Sequence, residues 1–366
     1  MRLFLTASAD TTLYQRFSTT NAGMDEILEV GKVAAPEDLG IAYTGSAART
    51  IINFTLPVSG TIPETASFHL NLKIANAQKL QYLQELKVYE VSGSWDEGSG
   101  YSIETNNVKI QLYSGSTYVG DFDPTKIVAT NDGATWDNRN ASTSASWTVA
   151  GGDYYANPTQ SVTLSAYPLE DLRINVTDIM YSVLVDNRDF KGFLVKLSPA
   201  YETSSLNQSN IKFFSRQTHT VHEPILEVVW NTNTFSTGSL KPIPNTYDIE
   251  VVPQNPKETY IRGSKERVRF VVRDKYPRKN FDSTLRYASR YYLPTSSYFG
   301  IVDRQAGTTL SPIDAYAKLD CDATGSYFVL DTSNLYKNRN YAVNLEIDNG
   351  SSDKTTIPEI FTFWVK

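Results

Sequence analysis

The chain has 366 residues, long enough for two domains with separate cores, and its 40% hydrophobic and 12% aromatic content excludes a wholly disordered polymer. Its 34 Lys and Arg against 40 Asp and Glu give a net charge of −6, which argues against nucleic acid as a partner. No run of about 18 apolar residues occurs, so no membrane span is expected, and the lone Cys321 excludes an intrachain disulfide framework.

The first seven residues, Met1-Arg2-Leu3-Phe4-Leu5-Thr6-Ala7, hold one basic residue and an apolar stretch too short for a signal peptide. They read as an edge strand of a protein made in the cytoplasm. Alternating or β-branched runs follow at 49–56, 66–74, 85–91, 161–164, 192–197, 211–214 and 225–230, with Gly, Asn, Ser and Thr turns between them. Many short strands at turn-bounded intervals predict a β-sandwich. One helix is expected, with Thr177 as its cap, running over 178–184 and burying Ile179, Met180, Val183 and Leu184. Residues 231–246 are rich in Asn, Thr, Ser, Gly and Pro and read as a linker, centred on 236–246. Beyond it Ile249, Val251, Val268, Phe270 and Val272 alternate with polar residues, and 327–330, 341–347 and 361–365 supply further strands. Residues 247–366 therefore predict a second sandwich, of immunoglobulin-like type.

Three loop stretches combine Trp with acidic residues: Trp95-Asp96-Glu97-Gly98, Thr135-Trp136-Asp137-Asn138-Arg139, and Trp147 with Gly151-Gly152-Asp153-Tyr154. Trp95, Trp136 and Trp147 either plug loop bases or form a sugar-stacking platform, and the loop-structural reading is preferred. Asp132, Asp137 and Asp153, with Asn131 and Asn138, are the candidate oxygen donors for a calcium ion. Their spacing does not fit the helical calcium loop, and Asn and Asp also cap turns. His219 and His222 stand three apart, which on a strand points them to opposite faces. No Gly-x-Ser-x-Gly stretch is present, and Glu90, Asp96 and Glu97 are the candidate carboxylates for a hydrolytic pair, which must face each other across a cleft. Asp96 and Glu97 are adjacent and splay apart. The expectation is a protein that is not an enzyme and has no resident cofactor.

Charge is unevenly spread. Residues 257–290 hold eleven Lys or Arg against four Asp or Glu, a local +7, which leaves −13 elsewhere. Arg267, Arg269 and Arg273 occupy one face of a strand whose other face is Val268, Phe270 and Val272. Such a stripe repels itself, so it is expected to dock on an acidic protein surface, with Tyr287, Tyr291 and Tyr292 as aromatic anchors.

Residues 1–235 resemble the DNRLRE-type β-sandwich family, a carbohydrate-binding-module-like jelly roll. The resemblance rests on Ala9-Asp10-Thr11-Thr12, the Arg49-led strand, the strand that runs into Trp95-Asp96-Glu97, and the Trp136 and Trp147 loops with their Gly-Gly-Asp. It continues through Asn175-Val176-Thr177-Asp178, where Asn replaces the family's first Asp, to Ser215-Arg216 and the strand led by Pro224. The second domain resembles one found in phage tail or neck proteins, on Tyr291-Tyr292-Leu293-Pro294, Tyr298-Phe299-Gly300-Ile301 and Lys318-Leu319-Asp320-Cys321-Asp322. The resemblance implies an all-β chain, a jelly roll with one short helix followed by an immunoglobulin-like sandwich. It further implies a structural protein of a tailed-bacteriophage virion, in the neck, tail or baseplate, assembled in the host cytoplasm. Its partners would be other virion proteins in a multi-copy symmetric assembly, with neither membrane nor nucleic acid. The alternative it leaves open is a carbohydrate-binding adhesin that contacts host glycans.

Overall fold

A computed structural model describes residues 2–33, 46–57, 62–80, 83–101, 110–114, 117–122, 132–167, 169–204, 209–254, 256–276, 290–350 and 352–366. The chain divides into two compact units, one of Phe4–Val228 and one of Val229–Lys366 joined by Met1–Leu3. Both are built of β-sheet, as the strand patterning predicts, and no helix among the described residues is long and apolar enough to cross a membrane.

In the N-terminal unit an eleven-stranded sheet runs from Tyr154–Ser165 through Leu83–Val91, Phe193–Leu197, Ser46–Phe54, Arg2–Tyr14, Ile225–Val229 and Ser67–Leu72 to Leu172–Asn175. Asn210–Phe214 lies between Ile27–Val33 and Ile74–Gln78, and Ile27–Val33 also pairs with Ser46–Phe54. The central strands are covered on both faces. All five residues of Phe193–Leu197 are buried, as are seven of the nine in Ser46–Phe54. That is why these runs read as nearly continuous apolar or β-branched sequence rather than as strict alternation. One core cluster combines Leu13, Ile51, Val91 and Leu194 from strands with Ala134, Trp136 and Trp147 from loops. The loops at this end of the sheet are thus part of the hydrophobic core.

The expected helix is Thr177–Val185. Its boundary residue is Val176, which makes no side-chain cap, so the expected Thr177 cap is corrected: Thr177 is the first helical residue. Asn175 Oδ1 accepts the Thr177 N–H at 3.0 Å, and Thr177 Oγ1 accepts the Phe68 N–H at 2.9 Å, tying the helix start to a neighbouring strand. Ile179, Met180 and Val183 are buried, but Leu184 is exposed. A second, unforeseen helix, Pro199–Thr203, begins with proline at a position where its missing N–H costs nothing.

The C-terminal unit is a two-sheet sandwich. Its six-stranded sheet runs Lys241–Pro242, Tyr291–Tyr292, Lys265–Asp274, Gly325–Asp331, Asp320–Asp322, with Ile249–Gln254 also on Lys265–Asp274. Its five-stranded sheet runs Thr259–Tyr260, Lys354–Val365, Arg339–Asp348, Ser297–Asp303, Thr308–Ser311. Val268, Phe270, Val272, Phe328 and Leu330 from the first meet Tyr341, Val343, Leu345, Phe361 and Phe363 from the second in one core. Phe328 stacks between Phe299, at 4.3 Å, and Phe270, at 6.0 Å.

The stretch expected as a linker is corrected. Residues 236–246 belong to the C-terminal unit, and the units part at Val228 and Val229. Lys241–Pro242 pairs in parallel with Tyr291–Tyr292, Ile243 is buried in the core, and the Thr246 N–H donates to Asp353 Oδ2 at 3.0 Å. Turn-forming residues mark where the chain bends; they do not tell a bend packed on a core from a free tether. Ile243→Ala is therefore expected to lower the stability of the C-terminal unit by about 2–4 kcal/mol, measured by denaturant unfolding. A change within about 0.5 kcal/mol, the value for an exposed tether, would contradict this packing.

Candidate functional site

Three of the stretches singled out in sequence converge in the N-terminal unit: Asp10 of the first strand, Glu97 of the Trp95 loop, and Arg216 after the strand Asn210–Phe214. Asp10 is buried, and its Oδ2 accepts the Arg216 N–H at 2.6 Å. Its own N–H donates to Glu97 Oε1 at 3.0 Å. Arg216 Nη1 closes the triangle on both Glu97 oxygens, at 3.1 and 2.8 Å. Among the described residues Asp10 Oδ1, which is buried, has no hydrogen-bond partner. Burial is the main cause that pushes the Asp10 carboxyl up to about 7; the Arg216 N–H opposes it, while the charges of Glu97 and Glu223 add to it.

Asn21, which sequence reading passed over, holds the adjoining loops. It is fully buried, donates to the carbonyls of Glu97 and Ala134, both at 2.8 Å, and accepts from the N–H groups of Gly23 and Gly100. Gly98 packs directly on it with φ +80°: a Cβ there would lie 2.5 Å from Asn21 Oδ1, so no side chain fits. A buried Asn with all its capacity in use is invisible in a single sequence, because nothing local marks it.

The tryptophans serve these loops. Trp147 Nε1 donates to the Thr135 carbonyl at 2.9 Å and Trp95 Nε1 to the Lys191 carbonyl at 2.8 Å. Trp136 and Trp147 are 7% and 5% exposed, so neither offers an open ring face to a sugar. Arg49 lies 4.8 Å from the Trp136 ring and pairs with Glu202 through Nε and Nη2, at 2.8 and 3.1 Å, while Lys196 reaches the same carboxylate at 2.7 Å. Burial would raise the Glu202 carboxyl, but the bonds from Arg49 and Lys196 outweigh it and hold it below the usual range. The short helix Pro199–Thr203 carries this acid.

The remaining candidates are kept apart. Asp132 bonds the N–H and hydroxyl of Ser99, Asp153 caps the N–H groups of Thr148 and Val149, and Asp137 contributes backbone bonds to Ser18 and Trp147. Among the described residues no group of three or more His, Cys, Asp or Glu is placed to hold a metal ion. His219 faces Glu26 at 3.4 Å while the His222 ring lies against Phe214. Glu90 pairs with Arg188 at 2.8 Å, Asp96 with Asn140, and Glu97 with Arg216, so the three carboxylates point to three different partners. An open depression of about 490 Å³ is lined by Ile74, Asn76, Leu169 and Asp171, but Lys73 and the Ile74 N–H occupy the Asp171 carboxylate.

In the C-terminal unit Val268, Phe270 and Val272 are buried, and Arg267, Arg269 and Arg273 lie on the opposite face as expected. The premise of self-repulsion is corrected. Arg269 grips Asp322 with two bonds, at 2.8 and 2.6 Å, Arg267 reaches the same carboxylate at 3.4 Å, and Arg273 pairs with Glu250 at 2.7 Å. Arg267 and Arg269 both stack on Tyr327, at 4.2 and 5.2 Å. The hydrogen bond from Arg269 holds the Asp322 carboxyl far below the usual range. The cross-strand neighbours that neutralise the stripe are distant in sequence, which is why local charge counting misses them. Tyr291 Oη donates to Asp274 at 2.8 Å and Tyr292 packs edge-to-face on Phe235; Tyr287 lies outside the described residues.

The Asp10 geometry has a measurable consequence. A raised carboxyl means the folded chain keeps a proton that the unfolded chain has lost, so between the ordinary aspartate range and about 7 this group makes stability fall as pH rises. Asp10→Asn keeps an acceptor for the Arg216 N–H and cannot ionise. Thermal melts from pH 4 to 8 are expected to show a flatter slope for the variant. An unchanged slope would mean that Asp10 does not titrate in that window.

No model of a known protein family matches the chain, and no curated protein matches it in sequence.

Proposed function

We propose that the chain is a non-enzymatic structural protein of a tailed-bacteriophage virion, in the neck, tail or baseplate periphery, acting through protein–protein docking. One observation carries the reading: the side chains that suggest chemistry in sequence are engaged in fixing the protein's own backbone. Trp95 and Trp147 bond loop carbonyls, Asp132 and Asp153 cap loop N–H groups, and Glu90 and Glu97 sit in ion pairs. Loops held this way suit a part that must keep its shape under load. The order of motifs across 1–235 supports the same reading, with a jelly-roll topology for the first unit and an immunoglobulin-like one for the second. On this reading the Arg267–Arg269–Arg273 face docks as a largely charge-compensated, salt-bridged surface that also exposes Val252 and Val329, so its partner need not be acidic.

The test is location. Particles purified from an infected host, with this chain epitope-tagged, are expected to carry the tag in several symmetric copies by electron microscopy of the labelled particles. Recovery of the chain only as free protein in the lysate, with unlabelled particles, would overturn the proposal.

A further inference from the structure

The outer face of the five-stranded sheet in the C-terminal unit carries an arrangement that the docking reading does not use. Trp364 stands opposite Asn340 on the neighbouring strand, and both point away from the core cluster that holds Phe363 and Tyr341. Trp364 is 44% exposed, whereas Trp136 and Trp147 are buried. On the far side of Asn340, the Arg304 N–H bonds the Asn340 carbonyl at 3.0 Å, and Arg304 Nη1 donates to Asn340 Oδ1 at 3.2 Å. Arg304 Nε donates to Glu359 Oε1 at 3.1 Å. Since Arg304 and Glu359 belong to the two segments that flank the middle strand Arg339–Asp348, their ion pair crosses it.

Glu359 is held there at a cost. Its φ is +46°, a left-handed conformation uncommon for a residue with a side chain. Pairing runs from Val343 with Phe361 to Leu345 with Ile357, so Pro358, Glu359 and Ile360 bulge opposite the single residue Asn344. Asn344 Oδ1 fixes the bulge by accepting the Glu359 N–H at 2.8 Å. Strain of this kind is kept where the surroundings over-determine it, and it is a pointer to function.

We propose that this row is a binding site for a neutral pyranose unit of an oligosaccharide. The indole of Trp364, 44% exposed, supplies the apolar surface on which the C–H groups of a sugar ring pack. Among the described residues Trp364 Nε1, Arg304 Nη2 and Glu359 Oε2 take no protein partner, so donors and an acceptor remain on the same face of the sheet. Trp364 and Arg304 are separated by two strand spacings, roughly 10 Å, which accommodates one to two sugar rings. The paired Arg304 and Glu359 cancel in charge, which selects a neutral sugar over an acidic one. A protein partner is the poorer fit, because a stable protein interface needs a contiguous apolar centre. Among the described residues the one other exposed large apolar side chain of this sheet is Ile261, just past the edge strand Thr259–Tyr260. The site is independent of the virion reading: the chain's absence from particles would leave it standing, and its failure would leave that reading standing.

The test uses the full chain and neutral hexasaccharides of α- and β-linked glucose, β-linked galactose and β-linked N-acetylglucosamine, titrated by NMR while the Trp364 indole signals are followed. Weak binding is expected for at least one of them, with Kd on the order of 1 mM, as suits a shallow site. Trp364→Ala should weaken it tenfold or more and Trp364→Phe less, both with an unchanged melting temperature. Glu359→Gln should weaken it while Trp364 stays in place. Binding of none of the four sugars, or binding that Trp364→Ala leaves unaltered, overturns the proposal. So does a dimer of the parent chain that Trp364→Ala dissociates, since that assigns the face to a protein contact.

Discussion

The loops of the N-terminal unit depend on one constraint: backbone polar groups that enter a core must find partners there. The segments that carry Trp95, Trp136 and Trp147 have only the short ladder of Asn138–Asn140 with Ala145–Ser146 among the described residues, yet Ala134, Trp136 and Trp147 are in the core cluster. Asn21 resolves this at the centre, bonding four backbone groups from three segments. Asp10, Glu97 and Arg216 extend the same solution outward, and the indole N–H groups of Trp95 and Trp147 complete it. Removing a partner from such a network leaves a buried group unsatisfied, which costs more than the bond itself contributes.

A second consequence concerns charge. Glu29, Lys196, Glu90 and Glu227 are nearly inaccessible, and each meets an opposite charge: Lys212, Glu202, Arg188 and Arg173. Buried pairs of this kind contribute little net stability compared with apolar replacements, but they forbid arrangements in which the charges are parted. They therefore act mainly on which packing is adopted. Asp10 stands apart, with no partner for Oδ1 among the described residues and two other carboxylates near it, which makes it sensitive to pH. In the C-terminal unit the same pairing operates at the surface, where Asp322 and Glu250 convert an apparent cationic stripe into a compensated face.

What the sequence by itself determined was the class of structure. Strand periodicity and burial are local properties, so the alternation at Val268, Phe270 and Val272, the buried runs around Ile51 and Leu194, and the helix after Asn175 were all legible. The preference for Trp136 and Trp147 as loop plugs was legible too, since a large apolar ring in a turn-rich stretch has few other places to go. Only the tertiary structure decided the rest. Whether 236–246 was tether or core turned on Ile243 finding a cavity, and whether Arg267 and Arg269 were free turned on Asp322, more than fifty residues away. Asn21, Glu202 and the Arg304–Glu359 crossing had no sequence signature, because their roles come from strands paired across long separations. Local propensity follows from neighbours along the chain; the partner of a charge or a buried amide is set by register, which no local window contains.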